Sequence, residues 1–421
     1  MDDITLEYTS TGIPVVTDSI KGAMSSAFLV AVGTGSRDES KDVMGISHLL
    51  EHVVFRGTKS RTSLQISKEM ESAGGIMNAF TSKEATEFFG VTLKDTADTA
   101  KKLVADILVN PLISESDVES EKKIVLQEIS MWENNPEQCF HKYYEETMWD
   151  GHELSQNAAG EADIVKDLNN NDLREYFEER YRIPNIAVLA GGAVDSKDVM
   201  KWAEDNFNVG NGVKIKRNKP VSTGSTYRFF PKKMDHTYIG IGFHTYPADH
   251  PDRYALRLLS AILGMGMSSR LFQGVREEKA LAYDVYSMVK EYSDAGSMAA
   301  FMSCTEDNVT EAITTSAKIF KGLRDEGLQK GELERARNLW KGVIVNAMES
   351  THSRLLSLTD SFMLTGKAEP FMNKVNALDD VTEEDIMRVA NDVIASKKLN
   401  MVIYGKRTKQ VTSLSLDQLD I

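Results

Sequence analysis

NNNDLREYFEERYRIPNIAVLAGG (169–192) and TEEDIMRVANDVIASKKLNMVIYGK (382–406) decide the architecture, because one succession of signals occurs twice in the same chain. In both, helical apolar spacing gives way to a short apolar run closed by glycine. Asp172 and Asp385 stand 213 positions apart, and so do Gly192 and Gly405. Working outward, the correspondence continues. SAFLVAVGTGSRDES (26–40) and HTYIGIGFHTYPADH (236–250) each read as a strand followed by a polar turn, and EFFGVTL (87–93) is answered by SMAAFMS (297–303). TADTAKKLVADIL (96–108) and NVTEAITTSAKIF (308–320) share helical periodicity. SESDVESEKKIVLQEI (114–129) and KGELERARNLWKGVI (330–344) are each a charged helix start running into an apolar stripe.

Such self-similarity implies two homologous domains of roughly 200 residues. We place them at 1–210 and 225–421, with a linker at 211–224 inside the Gly-, Asn-, Lys- and Ser-rich stretch NVGNGVKIKRNKPVSTGST (208–226). Its cations Lys214, Lys216, Arg217 and Lys219 are expected to be solvated. Strands with hairpin-like neighbours, separated by helix pairs, predict an α+β fold in which each domain is a mostly antiparallel sheet with helices packed on one face.

Bulk composition restricts the function classes. A chain of 421 residues, 41% hydrophobic and 27% charged, is ordinary globular material. Cys139 and Cys304 are too few and too far apart for a disulfide framework or a Cys-rich zinc ribbon, and are expected as packed thiols in a reducing compartment. The start MDDITLEYTSTGIPVV (1–16) is acidic and has neither a basic n-region nor an apolar h-region, and no stretch approaches a membrane span. We therefore expect a cytoplasmic protein without membrane association. The formal charge of −14 argues against a nucleic-acid partner and favours cationic peptides.

SHLLEHVVF (47–55) carries the chemistry. Helical steps of three and four put His48, Glu51 and His52 on one face. Two neutral imidazoles at that spacing can reach one Zn²⁺, and a carboxylate one residue away can take a proton from a water that the metal polarises. The order is H-x-x-E-H, the reverse of the commoner zinc-protease motif. A helix with surface histidines and an ordinary ion pair would give the same letters. A third ligand is needed, and carboxylates are too abundant for spacing to choose one.

GTGSRDE (33–39), GISHLLEHVVFRGT (45–58), GGIMNAFTSKEATEFF (74–89) and EKKIVLQEISMWENNP (121–136) follow in an order that resembles the pitrilysin/insulinase-like (M16) metallopeptidases. Within that family the chain is similar to the short two-domain M16B type related to mitochondrial processing peptidase. The resemblance covers nearly the whole chain and implies two LuxS/metallopeptidase-like domains and one zinc per chain. It makes Glu128 the third ligand and Glu121 the auxiliary acid near the metal. Seven residues, about two helical turns, separate them, so Glu121 could orient a ligand or the water. A solvated carboxylate at a helix start is the competing account of Glu121.

The resemblance further makes Asn78, Ala79 and Phe80 an edge strand that pairs with the substrate backbone, although an ordinary strand start after Gly74 and Gly75 fits the same residues. In the second half, Ala255, Leu258 and Leu259 answer His48, Glu51 and His52, and Val343 answers Glu128, so no metal is expected there. Arg276 and Tyr283, in SRLFQGVREEKALAYDVYS (269–287), match the family's pair that contacts substrate and polarises the scissile carbonyl. For Arg276 a surface ion pair with Glu277 or Glu278 is the alternative.

Together these imply a zinc endopeptidase that cleaves extended, preferably cationic peptides or unfolded segments in a dimeric chamber, with leader-peptide processing as one such role. A homodimer supplies the chamber most simply, and a heterodimer with a related subunit is the other arrangement. The alternative function is a non-catalytic scaffold or partner subunit. A LuxS-like lyase is disfavoured by the duplicated second half and by Glu128.

Overall fold

The computed structural model describes residues 3–221, 224–412, 414–416, 419 and 421; Met1, Asp2, the linker residues Ser222 and Thr223, Ser413, Asp417, Gln418 and Asp420 lie outside the described residues. Eleven strands among the described residues form two sheets. The first contains β1 (Asp3–Tyr8), β2 (Pro14–Ser19), β3 (Ser25–Val32), β4 (Ile76–Thr81), β5 (Thr86–Leu93) and β6 (Ile186–Gly192), in the order β1-β2-β6-β3-β5-β4. The second contains β7 (Thr226–Pro231), β8 (His236–Thr245), β9 (Ala282–Glu291), β10 (Gly296–Thr305) and β11 (Leu399–Gly405), in the order β7-β11-β8-β10-β9. Each sheet is antiparallel except for one parallel pair, β2 with β6 and β7 with β11. Apart from the extra β1, the two orders are the same order.

The repeated stretch explains itself at this level. Asn169 and Thr382 are helix N-caps, and Asp172 and Asp385 return a carboxylate to the cap's own N–H at 2.9 and 3.0 Å. Each capping box starts a helix, Asn170–Arg180 or Glu383–Val393, that delivers the chain into the central closing strand. Those strands, β6 and β11, are buried throughout.

Two separate units result. The first comprises residues 1–133, 156–218 and 346–372, and the second 134–155, 219–345 and 373–421. Each unit therefore includes a segment from the opposite half of the chain, which a sequential division at 210 and 225 does not contain. Helix Pro136–Met148 belongs to the second unit, where Phe140, Tyr144 and Met148 join Phe301, Val402 and Tyr404 in an apolar cluster. Helix Thr351–Thr365 belongs to the first, where Arg354 forms a buried ion pair with Asp18 of β2. Each sheet thus has a helix on the face away from its main helical layer. The linker also departs from expectation at one residue. Arg217 is not solvated: its guanidinium donates to both oxygens of Asp38, at 2.9 and 2.8 Å, and to the carbonyls of Gly33 and Glu84.

Two glycines of β8 make room for the exchanged helix. Gly240 and Gly242 face Tyr144, and a Cβ on Gly242 would lie 1.9 Å from its hydroxyl. That hydroxyl is buried with no hydrogen-bond partner among the described residues. Gly242→Ala should therefore overpack the second unit and cost about 1–3 kcal/mol. Tyr144→Phe removes the clashing, unpaired oxygen and should be neutral or stabilising. In urea titrations the double variant should recover much of the loss; strict additivity of the two changes would contradict this packing account.

Candidate metal centre

The helix Ile46–Val54 is held at its N-terminus by Glu39, whose two carboxylate oxygens accept from the N–H of Gly45 at 2.7 Å and of Ser47 at 2.8 Å. Gly45 enters the helix at φ 95°, a conformation that costs glycine little. Leu49, Leu50, Val53 and Val54 bury the opposite side, which leaves His48, Glu51 and His52 together.

Helix Glu115–Asn134 brings the carboxylates. Glu128 Oε2 lies 3.8 Å from His48 Nε2 and 3.6 Å from His52 Nε2. One ligand atom from each of His48, His52 and Glu128 falls within 4.8 Å of the others, the only such group among the described residues. Zn²⁺ with bonds near 2.0–2.2 Å places tetrahedral donors about 3.4 Å apart, so Glu128 Oε2 would close on each imidazole nitrogen by a few tenths of an ångström.

Glu121 serves His52 rather than standing free in solvent. Its Oε2 is 3.0 Å from His52 Nδ1 and its Oε1 is 3.4 Å from Arg56 Nη1. The carboxylate fixes the proton on Nδ1 and leaves Nε2 bare for a cation. His48 stays neutral: burial, and then the neighbouring His52, push it down to about 4. At His52 burial also lowers the pKa, but the Glu121 hydrogen bond and the charges of Glu128, Glu51 and Glu121 outweigh it and the net shift is upward, so a cation has to displace the proton from this ring. The donor set fits zinc: two imidazoles, one carboxylate, and an orienting acid.

Glu51 is 8% exposed, and its Oε2 accepts from the Thr81 hydroxyl at 2.7 Å. Burial raises its pKa, against the pull of Thr81 and His52. Thr81 ends β4, the outermost strand of its sheet. Asn78 and Phe80 alternate with the buried Ala79 along that strand, and the Ala79 N–H is satisfied by the Asn78 side-chain oxygen at 2.9 Å.

In the second unit Ala255, Leu258 and Leu259 are buried at 3%, 0% and 0%, and Val343 is exposed; none is a ligand. Arg276 lies in a single π-helical segment, Phe272–Glu277. Its guanidinium carbon sits 4.7 Å from the Phe272 ring centre and 5.7 Å from that of Tyr283. Its approach to Glu277 is long, 3.9 Å. Tyr283 is the second residue of β9 and is 79% exposed.

Three neighbours escaped the motif reading. Thr81 shares strand parity with Ala79, which signals that it faces the helices. Trp132 is one turn beyond Glu128, with its ring centre 6.1 Å from that of His48. Arg56, one turn beyond His52, had no signal of its own.

Residues 14–162 match the family described as insulinase (peptidase family M16), and residues 167–339 match the peptidase M16 inactive domain. The chain is 30% identical over 385 residues to the uncharacterized zinc protease YmxG of Bacillus subtilis, covering 91% of this chain and 93% of that one. The fold is similar to that of a protease from Helicobacter pylori, with a TM-score of 0.87 at 21% identity over 96% of this chain and 100% of that one. It is also similar to a peptidase M16 inactive domain from Pseudomonas fluorescens, at a TM-score of 0.88 and 17% identity over 96% and 98% of the two chains.

Metal analysis should find one zinc per chain, and His52→Ala should lose it to a chelator. Glu121→Gln keeps the three ligands but cannot hold His52 in the same way, so zinc affinity should fall about 10–100-fold. Two ions per chain, or undiminished affinity in both variants, would contradict the ligand set.

Proposed function

The chain belongs to peptidase family M16, and on that premise we propose that it is a zinc-dependent endopeptidase whose first unit carries the reaction. The observation that supports this most directly is the convergence of His48, His52 and Glu128 beside a buried, raised-pKa Glu51. Bound Zn²⁺ would supply Lewis acidity, polarising a scissile carbonyl and lowering the pKa of an attacking water.

The chain's own residues would do the rest. Glu51, steadied by Thr81, accepts the water's proton and passes it to the leaving amine. A carboxylate whose pKa is raised by burial is a better base than one in bulk water. The free edge of β4 accepts an extended substrate as an added strand, whose carbonyl replaces Asn78 as the partner of the Ala79 N–H. Arg276 and Tyr283 supply donors where charge develops on the carbonyl oxygen. Backbone pairing of this kind selects unfolded segments and short peptides, leader peptides among them, and excludes folded proteins. The acidic chain favours cationic ones.

Glu51→Gln retains the shape of the site and its ligands but has no basic oxygen pair. Cleavage of a mixed peptide library, read by mass spectrometry, should fall about 10²–10⁴-fold while bound zinc stays at one per chain. A zinc-replete wild-type protein that cuts nothing would favour the scaffold reading instead.

We place the complete site in a homodimer, with Arg276 and Tyr283 of one subunit serving the zinc of the other. The motive is that the chain has one zinc set and one Arg/Tyr pair, whereas long members of the family join four such domains. Glu51→Gln and Tyr283→Phe chains, each nearly inactive alone, should regain about a quarter of wild-type activity after random subunit exchange, because half the dimers then hold one intact chamber of two. No recovery after exchange proven with two affinity tags would refute completion in trans.

A further inference from the structure

A metal-binding histidine ordinarily gives its second ring nitrogen to an acceptor, which fixes the tautomer and the direction of the ring. His52 has such an acceptor in Glu121. His48 does not. Its Nε2 lies 3.8 Å from Glu128 Oε2, and its Nδ1 is buried with no hydrogen-bond partner among the described residues. A ring without that bond lacks the usual restraint on its rotation and carries an unsatisfied donor, so its direction depends on packing.

Two rings lie beside it. His52 approaches edge-on, with centres 4.7 Å apart and planes at 70°, but His52 is itself a ligand. The other is Trp132, at 6.1 Å and 40°, inside the roughly 4.5–7 Å range of paired aromatic rings. Trp132 stands four residues after Glu128 on helix Glu115–Asn134, and Glu128 stands seven after Glu121. Steps of seven and four return to nearly the same direction, so the three side chains form one stripe of that helix. Glu121 meets His52, Glu128 meets both imidazoles, and Trp132 meets His48. Trp132 is 38% exposed and stands outside the buried apolar core of its unit.

We propose that Trp132 is a positioning residue for the metal centre. Its indole packs against the His48 imidazole and sets the direction of Nε2, so that van der Waals contact gives His48 what a hydrogen bond from Glu121 gives His52. The inference rests on the reading of His48, His52 and Glu128 as a zinc site. It goes beyond that reading in giving the carboxylate helix a part in orienting both histidines.

Competition with a chromophoric chelator measures zinc affinity whether or not the protein cleaves peptides. Trp132→Ala should lower it about tenfold, the scale on which lost outer partners weaken metal sites. Trp132→Phe keeps a ring against His48 and should stay within about threefold of wild type. Co²⁺ in place of zinc gives a second reading, because its visible bands follow ligand geometry: they should shift in Trp132→Ala and hold in Trp132→Phe. Since the indole is outside the core, the urea midpoint of metal-free Trp132→Ala protein should match that of wild type. Unchanged affinity and unchanged Co²⁺ bands in Trp132→Ala would overturn the inference. So would an equal loss in Trp132→Phe, or a loss matched by a fall in the metal-free urea midpoint. Failure of wild-type protein to bind zinc would overturn the metal centre itself, and this inference with it.

Discussion

An imidazole can serve a cation only while it is neutral and only through the nitrogen that carries no proton, and two of them must satisfy this at once. Here the two rings stand differently. His48 is kept neutral by burial, whereas the carboxylates around His52 favour its protonated form, and Glu121 sets Nδ1 as the nitrogen that keeps its proton when a cation takes Nε2. Glu121 and Glu128 ride on one helix, so the orienting acid and the third ligand cannot move independently. That helix is seated by Val118, Val125 and Ile129, which are nearly fully buried, so the packing of three apolar residues sets the geometry of the polar ones.

The second unit shows what the same scaffold becomes when that demand is dropped. At the positions of the ligands and the base, Ala255, Leu258 and Leu259 extend the apolar core, and the helix that answers the carboxylate helix carries Val343 instead of an acid. This unit instead carries Arg276 over the rings of Phe272 and Tyr283. Two sheets of one topology thus differ in what they present, one a His-His-Glu group and the other an arginine on aromatic rings.

Much of this was legible from the sequence because it is periodic or local. The two sheets follow from repeated strand and helix signals, and the His48 face from helical spacing. Glu128 was not fixed by spacing, since the chain is rich in carboxylates; the resemblance to a family singled it out, and the geometry puts it beside both imidazoles. What pattern could not reveal is which sheet a helix covers. Pro136–Met148 and Thr351–Thr365 are amphipathic in the ordinary way, and nothing local states that each belongs with the opposite half. Arg217 was misread for a similar reason. A cation in a Gly- and Lys-rich stretch looks solvated until Asp38, far away in sequence, is brought next to it.

That exchange of helices has a consequence for the order in which the protein is made. When the ribosome has completed β6, every strand of the first sheet exists, yet the helix Thr351–Thr365 that covers one of its faces has still to be synthesised. Until then Asp18 waits without Arg354, and Gly191 without Leu355, against which it packs. The nascent first half is therefore a sheet with one bare side, open to chaperones or to wrong partners, for more than a third of the chain's elongation. A cut at the apparent boundary between the halves would part each of these two helices from the unit it belongs to.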